Sequence, residues 1–362
     1  MMWAWLAMMV VYLGGNGYLY WRFLQAIASL PLGLRIALSI LFWVAAMALF
    51  LSFTLRDSSI PLTQGLFKVG SAWMVFLLYM VLATALFDIM GHFIPLSIHS
   101  IWCALAVTIP LLIYGYVNYR MPRTEHITID IDKPIEGGSY RMVAISDVHL
   151  GHGTNREDLA RYIDMINSHN PDVVLIVGDL IDNSIKPVIE AEMLEEFKRI
   201  EARDGIYMVP GNHEYISNID RCSRHIATSP ITLLRDSVVT LPSGIQIIGR
   251  DDRFNHERVP LDSLVLRADA SRPIVVLDHQ PYDIATSDKL GVDIHLSGHT
   301  HRGQVWPLSW LTDAMYDQSH GYRRWENTHA YVSSGLSLWG PPFRIGTHSD
   351  MAIIDIKGCS TN

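Results

Sequence analysis

Seven side chains of the kinds that bind divalent metals lie in five short loops, each directly after an apolar run. The loops read DVH, GDLID, GNHE, LDHQ and GHTH. Their candidate ligands are Asp147, His149, Asp179, Asn212, His279, His299 and His301. Imidazole and carboxylate ligands suit zinc, iron and manganese, and an amide adds an oxygen ligand. The pattern predicts a centre for two divalent ions, with manganese, iron or zinc as the candidates.

The apolar runs before these loops predict the strands that position the side chains. Arg141–Ser146 and Asp172–Val177 have the composition of buried strands, and a helical stretch separates them. A charged helix is expected over Val188–Ala202, and SVVTLPSGIQIIG predicts a hairpin. Strands that alternate with helices indicate an α/β domain. Ligands bind at the carboxyl ends of strands in such sheets, so the five loops should converge on one site.

The five loops resemble the motif blocks of the calcineurin-like metallophosphoesterases. GNHEY, LDHQP and GHTHRGQV are similar to the bacterial YkuE-like branch, whose members are often membrane-attached. The resemblance covers about residues 125–357 and implies a four-layer α/β sandwich, in which helices flank two mixed β-sheets. It also implies two ligand sets that share the bridging residue Asp179. One set is Asp147, His149, Asp179 and His301, and the other is Asp179, Asn212, His279 and His299.

The same resemblance implies hydrolysis of a phosphate ester by metal-activated hydroxide, without a covalent enzyme intermediate. His213 follows Asn212 and is expected to stabilise the transition state or to act as a general acid. Asp182 and Glu214 are expected to orient the metal ligands without binding metal themselves. Arg302 follows His301 and has two open interpretations, contact with a substrate phosphate or exposure to solvent.

The first third of the chain differs sharply in charge from the rest. Residues 1–119 contain four cations, Arg22, Arg35, Arg56 and Lys68, against two anions, whereas the remainder carries 24 cations and 34 anions. Fourteen of the sixteen histidines lie in that remainder. We therefore expect a transmembrane region over residues 1–120 and a catalytic domain over 121–362. The acidic domain argues against nucleic-acid binding, which favours a basic face.

Four apolar stretches are long enough to cross a bilayer, which takes about 20 residues. They lie near residues 2–20, 36–55, 69–87 and 101–119. Four spans would place Arg56, Lys68, Arg120 and Arg123 on the side of the catalytic domain. Arg22 and Arg35 would lie on the other side, so the positive-inside rule favours a cytoplasmic catalytic domain. The expected location is a bacterial cell membrane with several passes.

The segment after GHTH is rich in aromatic residues, which pack in cores but also favour the bilayer interface. A lipid or lipid-linked phosphodiester is therefore the first substrate hypothesis, and a soluble diester such as a cyclic nucleotide is the second. Phosphate monoesters are a further class. The alternative function is a non-catalytic scaffold or sensor module on a membrane domain. The predicted spans show no buried charge pair, which argues against transport.

Overall fold

A computed structural model describes residues 2–55, 61–94 and 98–360. The described chain forms two compact units. The helical unit contains residues up to 118 together with Gly340–Ile345, and the second unit contains Tyr119–Trp339 and the residues from Gly346 onward. Residues 340–345, which the sequence assigns to the catalytic domain, thus pack with the helical unit. Arg56, one of the cations in the orientation argument, lies outside the described residues.

The helical unit is built from four long helices that cover the four predicted spans. They are α1 (Met2–Ala26), α2 (Leu32–Thr54), α3 (Pro61–Met90) and α4 (Ser100–Tyr119). Helices α2, α3 and α4 are long and apolar enough to cross a membrane. No polar stripe runs along the described surface of these helices, as expected when lipid rather than water surrounds a helix.

Helix α1 does not reach the same standard among the described residues, so its crossing of the membrane stays a prediction. Its 25 residues suffice in length, but Asn16 and the neighbouring glycines lower its hydropathy. The Asn16 side chain is buried and donates to the carbonyl of Tyr12 over 2.8 Å. The indole of Trp73 on α3 donates back to the Asn16 side-chain oxygen over 2.9 Å. The polar group therefore joins α1 to α3.

Two further contacts define this unit. Gly70 on α3 lets α2 approach closely, since a Cβ there would lie 2.1 Å from the backbone nitrogen of Leu49. Arg22 and Asp88, at the ends of α1 and α3, form an ion pair with Nε 2.7 Å from Oδ2. Both side chains are partly buried. Both residues lie outside the predicted spans 2–20 and 69–87, so this pair does not overturn the expectation that the spans contain no buried charge pair.

The segment Gly340–Ile345 packs on the last turns of α4. The backbone N–H of Arg344 donates to the carbonyl of Gly115 over 2.9 Å. The Asn118 side chain donates to the carbonyl of Arg344 over 2.9 Å. Gly115 has no side chain, which leaves the space that Ile345 takes, since a Cβ would lie 2.6 Å from that residue.

The second unit contains two six-stranded mixed sheets. The strand orders are β1-β12-β2-β3-β4-β5 and β10-β11-β9-β8-β7-β6. The strands are β1 (Arg123–Ile135), β2 (Ser139–Ile145), β3 (Val173–Val177), β4 (Ile206–Val209), β5 (Ile231–Leu233), β6 (Ser237–Thr240), β7 (Gln246–Gly249), β8 (Ile274–Leu277), β9 (Ile294–Ser297), β10 (Gly321–Arg324), β11 (His329–Val332) and β12 (Asp350–Ser360). The helices are α5 (Arg156–Asn167), α6 (Lys186–Glu190), α7 (Asn212–Ile216), α8 (Ile219–Ile226), α9 (Leu261–Val265), α10 (Ile284–Lys289) and α11 (Leu308–Met315), with 3₁₀ turns at Met193–Arg199 and His301–Gly303.

Alternation along the strands shows why the sheets form layers. On β2, Met142 and Ala144 join an apolar cluster that also contains residues of the second sheet, such as Val275 and Leu277. Their neighbours on β2, Val143 and Ile145, point to the opposite face of the sheet. They pack with residues of helix α5 such as Ile163. Helix α9 covers the outer face of the second sheet. The expected four-layer arrangement of two mixed sheets flanked by helices is confirmed.

Local predictions had mixed outcomes. The predicted hairpin forms, because β6 and β7 pair antiparallel. The helix expected over Val188–Ala202 is wrong as a single element. Helix α6 ends at Glu190, Glu192 takes a left-handed conformation with φ 48°, and a 3₁₀ turn follows. Neither glycine nor proline marks this break in the sequence.

Candidate metal centre

Five loops bring the candidate ligands together at the carboxyl ends of strands from both sheets. The loops follow β2, β3, β4, β8 and β9. Strands β2, β3 and β4 run parallel in one sheet, and β7, β8 and β9 run parallel in the other. Parallel strands end at the same edge, so these loops meet where the two edges face each other. The loops supply Asp147, His149, Asp179, Asn212, His279, His299 and His301.

One cluster consists of Asp147, His149 and His301, whose potential ligand atoms lie within 4.8 Å of one another. The Nε2 atoms of the two histidines are 3.1 Å apart. The His301 Nε2 lies 3.3 Å from Oδ1 of Asp147, and the His149 Nε2 lies 3.7 Å from the same oxygen. All three side chains are buried.

A second cluster consists of Asp179, His279 and His299. The His279 Nε2 lies 3.1 Å from Oδ2 of Asp179, and the same oxygen lies 3.9 Å from Nε2 of His149 in the first cluster. Asp179 therefore stands between the two clusters. The division of the seven residues into two ligand sets stays a prediction.

The hydrogen bonds of the site fit a pair of bound cations. His279 uses Nδ1 to donate to the carbonyl of Val177 over 2.8 Å, which directs Nε2 at the Asp179 carboxylate. The Nε2 atoms of His149 and His301 face each other at 3.1 Å. Each pair is stable with a proton or a cation between its two atoms. In addition, Oδ1 of Asn212 is buried without a hydrogen-bond partner.

The backbone around the site is strained in a way that aims these side chains. Asp147, His149, Asp179, His299 and His301 all have positive φ, between 46° and 71°. Residues other than glycine rarely adopt this region of backbone conformation, and such strain concentrates at functional sites. No local sequence pattern predicts this conformation, because none of the five residues is a glycine.

Glycines beside the ligands allow close approach. A Cβ on Gly298 would lie 1.9 Å from Oγ of Ser146 and 2.4 Å from Oδ2 of Asp147. A Cβ on Gly211 would lie 2.2 Å from Oδ1 of Asp179. The glycines that precede His299 and Asn212 therefore leave room for the carboxylates of the site.

The electrostatics favour positive charge between the carboxylates. Burial alone would lower the pKa of His149, but hydrogen bonds to Asp147 and Asp182 raise it to about 10. Burial alone would raise the pKa of Asp147, yet the charge of His301 and a bond from His149 hold it below its usual range. His299 differs, because burial and the neighbouring His279 lower its pKa to about 4. His299 is thus neutral at pH 7, the form in which imidazole binds metal.

His213 lies at the edge of both clusters. It is buried, its Nδ1 lies 3.1 Å from Oδ1 of Asp182, and its ring stands 4.6 Å from that of His149. A ligand atom of His213 also lies within 4.8 Å of His149 and Asp179. Asp182 contacts both rings, with Oδ1 3.6 Å from Nδ1 of His149. This placement suits the orienting role expected for Asp182.

The Glu214 carboxylate forms its hydrogen bonds with backbone groups rather than with side chains. Its carboxylate accepts hydrogen bonds from the N–H groups of Asp179, Ile181 and Gly211, at 3.0, 2.8 and 2.7 Å. Burial and the adjacent charge of Asp179 raise its pKa to about 7. Glu214 therefore ties the loop after β3 to the loop after β4, and thereby positions Asp179 beside Asn212.

Three contributors to the site were not assigned to it from the sequence. Ser146 donates to Oδ2 of Asp147 over 2.6 Å and to the carbonyl of Val177 over 2.8 Å, which fixes the Asp147 side chain. The ring of Trp339 lies 6.4 Å from that of His213, and the ring of Tyr316 lies 6.5 Å from that of His299.

Arg302, the candidate substrate contact, is half-buried and adopts φ 49°. Its Nε is buried without a hydrogen-bond partner.

Comparison with known proteins agrees with this geometry. The model of the calcineurin-like phosphoesterase family matches residues 140–303. An uncharacterised metallophosphoesterase of Campylobacter jejuni is 30% identical over 70% of this chain and 69% of its own length. The chain belongs to the calcineurin-like metallophosphoesterase family. Members of this family use two divalent metal ions, which is what the two clusters of the site can hold.

Two other relatives of this metallophosphoesterase are informative. The uncharacterised metallophosphoesterase YkuE of Bacillus subtilis is 27% identical over 69% of this chain and 91% of its own length. A zebrafish protein described as a transmembrane protein with a metallophosphoesterase domain is 31% identical over 70% of this chain. The chain spans 62–65% of the length of several curated relatives. The resemblance to the YkuE-like branch is confirmed, and the three apolar helices indicate membrane association.

Proposed function

We propose that this protein is a membrane-bound phosphodiesterase with two metal ions, and that it acts on a lipid or lipid-linked substrate. The observation that carries the proposal is the convergence of histidine nitrogens and carboxylate oxygens on one small region. The Nε2 of His149 faces that of His301 at 3.1 Å, and the Nε2 of His279 faces the Asp179 carboxylate at 3.1 Å. Such a site is stable when cations lie between these atoms.

Residues of this chain have distinct roles in the proposed reaction. Asp147, His149, Asp179 and His301 would hold one ion, and Asp179, Asn212, His279 and His299 the other. When bound, the two ions supply an activated water molecule and neutralise phosphate charge. Manganese, iron or zinc would suit these ligands.

His213 is proposed to serve the leaving group. Its Nδ1 faces the carboxylate of Asp182 at 3.1 Å, which orients the ring. A protonated imidazole can give its proton to the departing alkoxide, a role that contributes roughly 100-fold or more to rate. Glu214 and Asp182 position the groups around it without touching substrate.

The surroundings of the site support a diester over a monoester. A monoester dianion carries two negative charges at neutral pH, whereas a diester carries one. The rings of Trp339 and Tyr316 border the site beside the arginine Arg302, a combination that suits a singly charged phosphate with an apolar substituent. Arg302 is the proposed phosphate contact.

We further propose a bacterial cell membrane as the location, with several passes and a cytoplasmic catalytic unit. The orientation does not depend on α1. If α1 does not cross, Arg22 and Arg35 remain together on one side, and Lys68, Arg120 and Arg123 stay on the side of the catalytic unit.

The test is hydrolysis of bis-p-nitrophenyl phosphate against p-nitrophenyl phosphate by full-length protein that is stripped of metal and reloaded with manganese, iron or zinc. Metal-dependent turnover that favours the diester supports the proposal. Preference for the monoester would contradict the diester assignment. Two bound ions without turnover of either ester would favour the alternative, a metal-binding scaffold or sensor module.

A further inference from the structure

Helix α11 has the reverse of the usual amphipathic pattern. Its inward residues are polar, since Ser309 is buried and Thr312 is half-buried. Its outward residues are large and apolar. We define the α11 face as Trp306, Leu308, Trp310, Leu311 and Met315, which are exposed by 42%, 44%, 66%, 59% and 58%. A helix on a water-facing surface normally shows the opposite arrangement.

The α11 face is continuous and ordered. Leu308, Leu311 and Met315 are spaced three and four residues apart, so they share one side of the helix. The rings of Trp306 and Trp310 pack edge to face, with centroids 5.4 Å apart. The helix has a single charged residue, Asp313, whose carboxylate accepts a hydrogen bond from Ser319. Contiguous apolar surface of this kind marks an interaction site.

The face is joined directly to the metal centre. Only four residues separate His301, a candidate ligand, from Trp306 where the face begins. Thr347 donates to the carbonyl of Gln304, two residues before Trp306, over 2.5 Å. Gly346, which precedes Thr347 in the chain, lies against Trp306, since a Cβ on Gly346 would be 3.3 Å from the Cβ of that tryptophan.

The chain next to these contacts belongs to the helical unit. Residues Gly340–Ile345 pack with α4, and the chain returns to the second unit at Gly346. The residues that hold the start of the α11 face therefore follow, without any linker, a segment bound to a helix long and apolar enough to cross a membrane. This connectivity keeps the face within a short chain length of the membrane-associated part of the protein.

We propose that the α11 face inserts into the interfacial zone of the lipid bilayer. The inference rests on the proposed membrane anchoring and deepens the proposed function, because it has the bilayer present the substrate to the site. The composition favours lipid over a protein partner: tryptophan prefers the depth of the headgroups, and short apolar faces of this kind enter the boundary between headgroups and acyl chains. Arg323 donates over 3.3 Å to the carbonyl of Asp317, which lies two residues beyond Met315 in the chain, and its charge suits anionic headgroups.

The substrate class follows from this geometry. An inserted α11 face holds the nearby metal centre at the headgroup level, so the scissile phosphate would belong to an amphiphile that stays in the bilayer. Its acyl chains would not enter the protein. The substrate is therefore expected to be recognised by its headgroup phosphodiester and by its position in the membrane.

The test measures insertion without any turnover. Leu311→Cys is labelled with an environment-sensitive fluorophore in full-length protein that carries Cys103→Ser and Cys359→Ser, with the buried Cys222 retained. Leu266→Cys is the matched control, since Leu266 is also a leucine of the second unit and is 85% exposed. Both proteins are reconstituted in vesicles of phosphatidylethanolamine and phosphatidylglycerol, with and without brominated lipid.

The expected result is blue-shifted emission at position 311 and quenching by brominated lipid several-fold stronger than at position 266. Equal quenching at the two positions would overturn the proposal. A blue shift at 311 without quenching would also overturn it, because a second copy or another protein surface would then cover the face.

A second variant separates docking from the proposed function. Trp310→Glu with Leu311→Glu should leave hydrolysis of bis-p-nitrophenyl phosphate within about twofold of wild type. It should lower hydrolysis of a fluorescent phospholipid diester in the same vesicles by about tenfold or more, a change of about 1.4 kcal/mol. If the label at 311 is quenched but the wild type hydrolyses only the soluble diester, insertion stands and the lipid substrate is excluded. Equal rates of wild type and variant on the phospholipid would overturn the role of the face in presenting substrate.

Discussion

Asn16 and Asp88 of the helical unit are paired in a different way from the candidate ligands of the metal centre. In the helical unit, Asn16 bonds to the Tyr12 carbonyl and the Trp73 indole, and Asp88 accepts from both Arg22 and Tyr18. Each of these groups has a partner of complementary type. In the metal centre, histidine nitrogen faces histidine nitrogen, and a buried amide oxygen has no hydrogen-bond partner.

This difference supports the proposal that the second unit performs the chemistry. Polar groups satisfied by their neighbours join helices and rigidify the unit. Polar groups that oppose one another are stable only when something of positive charge binds between them. The helical unit thus has the features of an anchor, and the second unit those of a catalyst. Four variants can break or sharpen this comparison, and their expected effects decrease in the order given.

Asp179→Ala should have the largest effect. The carboxylate stands between the two clusters, so its loss should lower bound metal and reduce turnover by roughly 1,000-fold or more, as happens when groups act as a unit. Metal analysis and hydrolysis of bis-p-nitrophenyl phosphate measure both results. Asp355→Asn is the control, because Asp355 pairs with Arg141 at 2.7 Å and takes no part in the site. Full activity with one ion still bound would contradict the bridging role of Asp179.

His213→Ala should reduce turnover by roughly 100-fold while both ions stay bound. His225→Ala on α8 is the matched control and should behave as wild type. Because His213 also lies near His149 and Asp179, a loss of metal in the variant would mean that it is a ligand and not an acid.

Gly70→Ala should affect the anchor and spare the catalyst. The added Cβ would lie 2.1 Å from the Leu49 backbone, and overpacking of this kind costs about 1–3 kcal/mol. Thermal unfolding in detergent should start at a lower temperature, while metal content and turnover of the soluble diester per folded molecule stay unchanged. Gly65→Ala, in the same helix with nothing within 4 Å of the new Cβ, should not destabilise. Equal stability of the two variants would refute close packing of α2 and α3.

His295→Gln should have the smallest effect and contrasts with the nearby His299. His295 is buried and bonded to Ser287 and Ser297, and burial lowers its pKa from 6.5 to about 4. His295 in the folded protein therefore binds a proton only at a lower pH than His295 in the unfolded chain. This contribution to stability is complete above pH 6.5 and is lost as the pH falls toward 4, by at most about 3 kcal/mol. The unfolding midpoint of the variant should depend less on pH in that window, and identical slopes would contradict the neutral form.

The sequence predicted the ligands because each follows a buried strand, and strand direction alone determines where such loops meet. Three features could not be predicted in this way. The left-handed backbone at Asp147 and His301 depends on tertiary contacts that no local pattern reports. The packing of Gly340–Ile345 with α4 depends on contacts between residues more than 200 positions apart, as between Gly115 and Arg344. The reversed polarity of α11 emerges only when the buried side of the helix is known.

The most direct test of the central claim is the location of metal in the full-length protein by anomalous X-ray scattering after reloading with manganese. Two anomalous peaks are predicted, one beside His149 and His301 and one beside His279 and His299, with Asp179 between them. A single peak, or a direct hydrogen bond between the His149 and His301 rings without metal, would contradict the account.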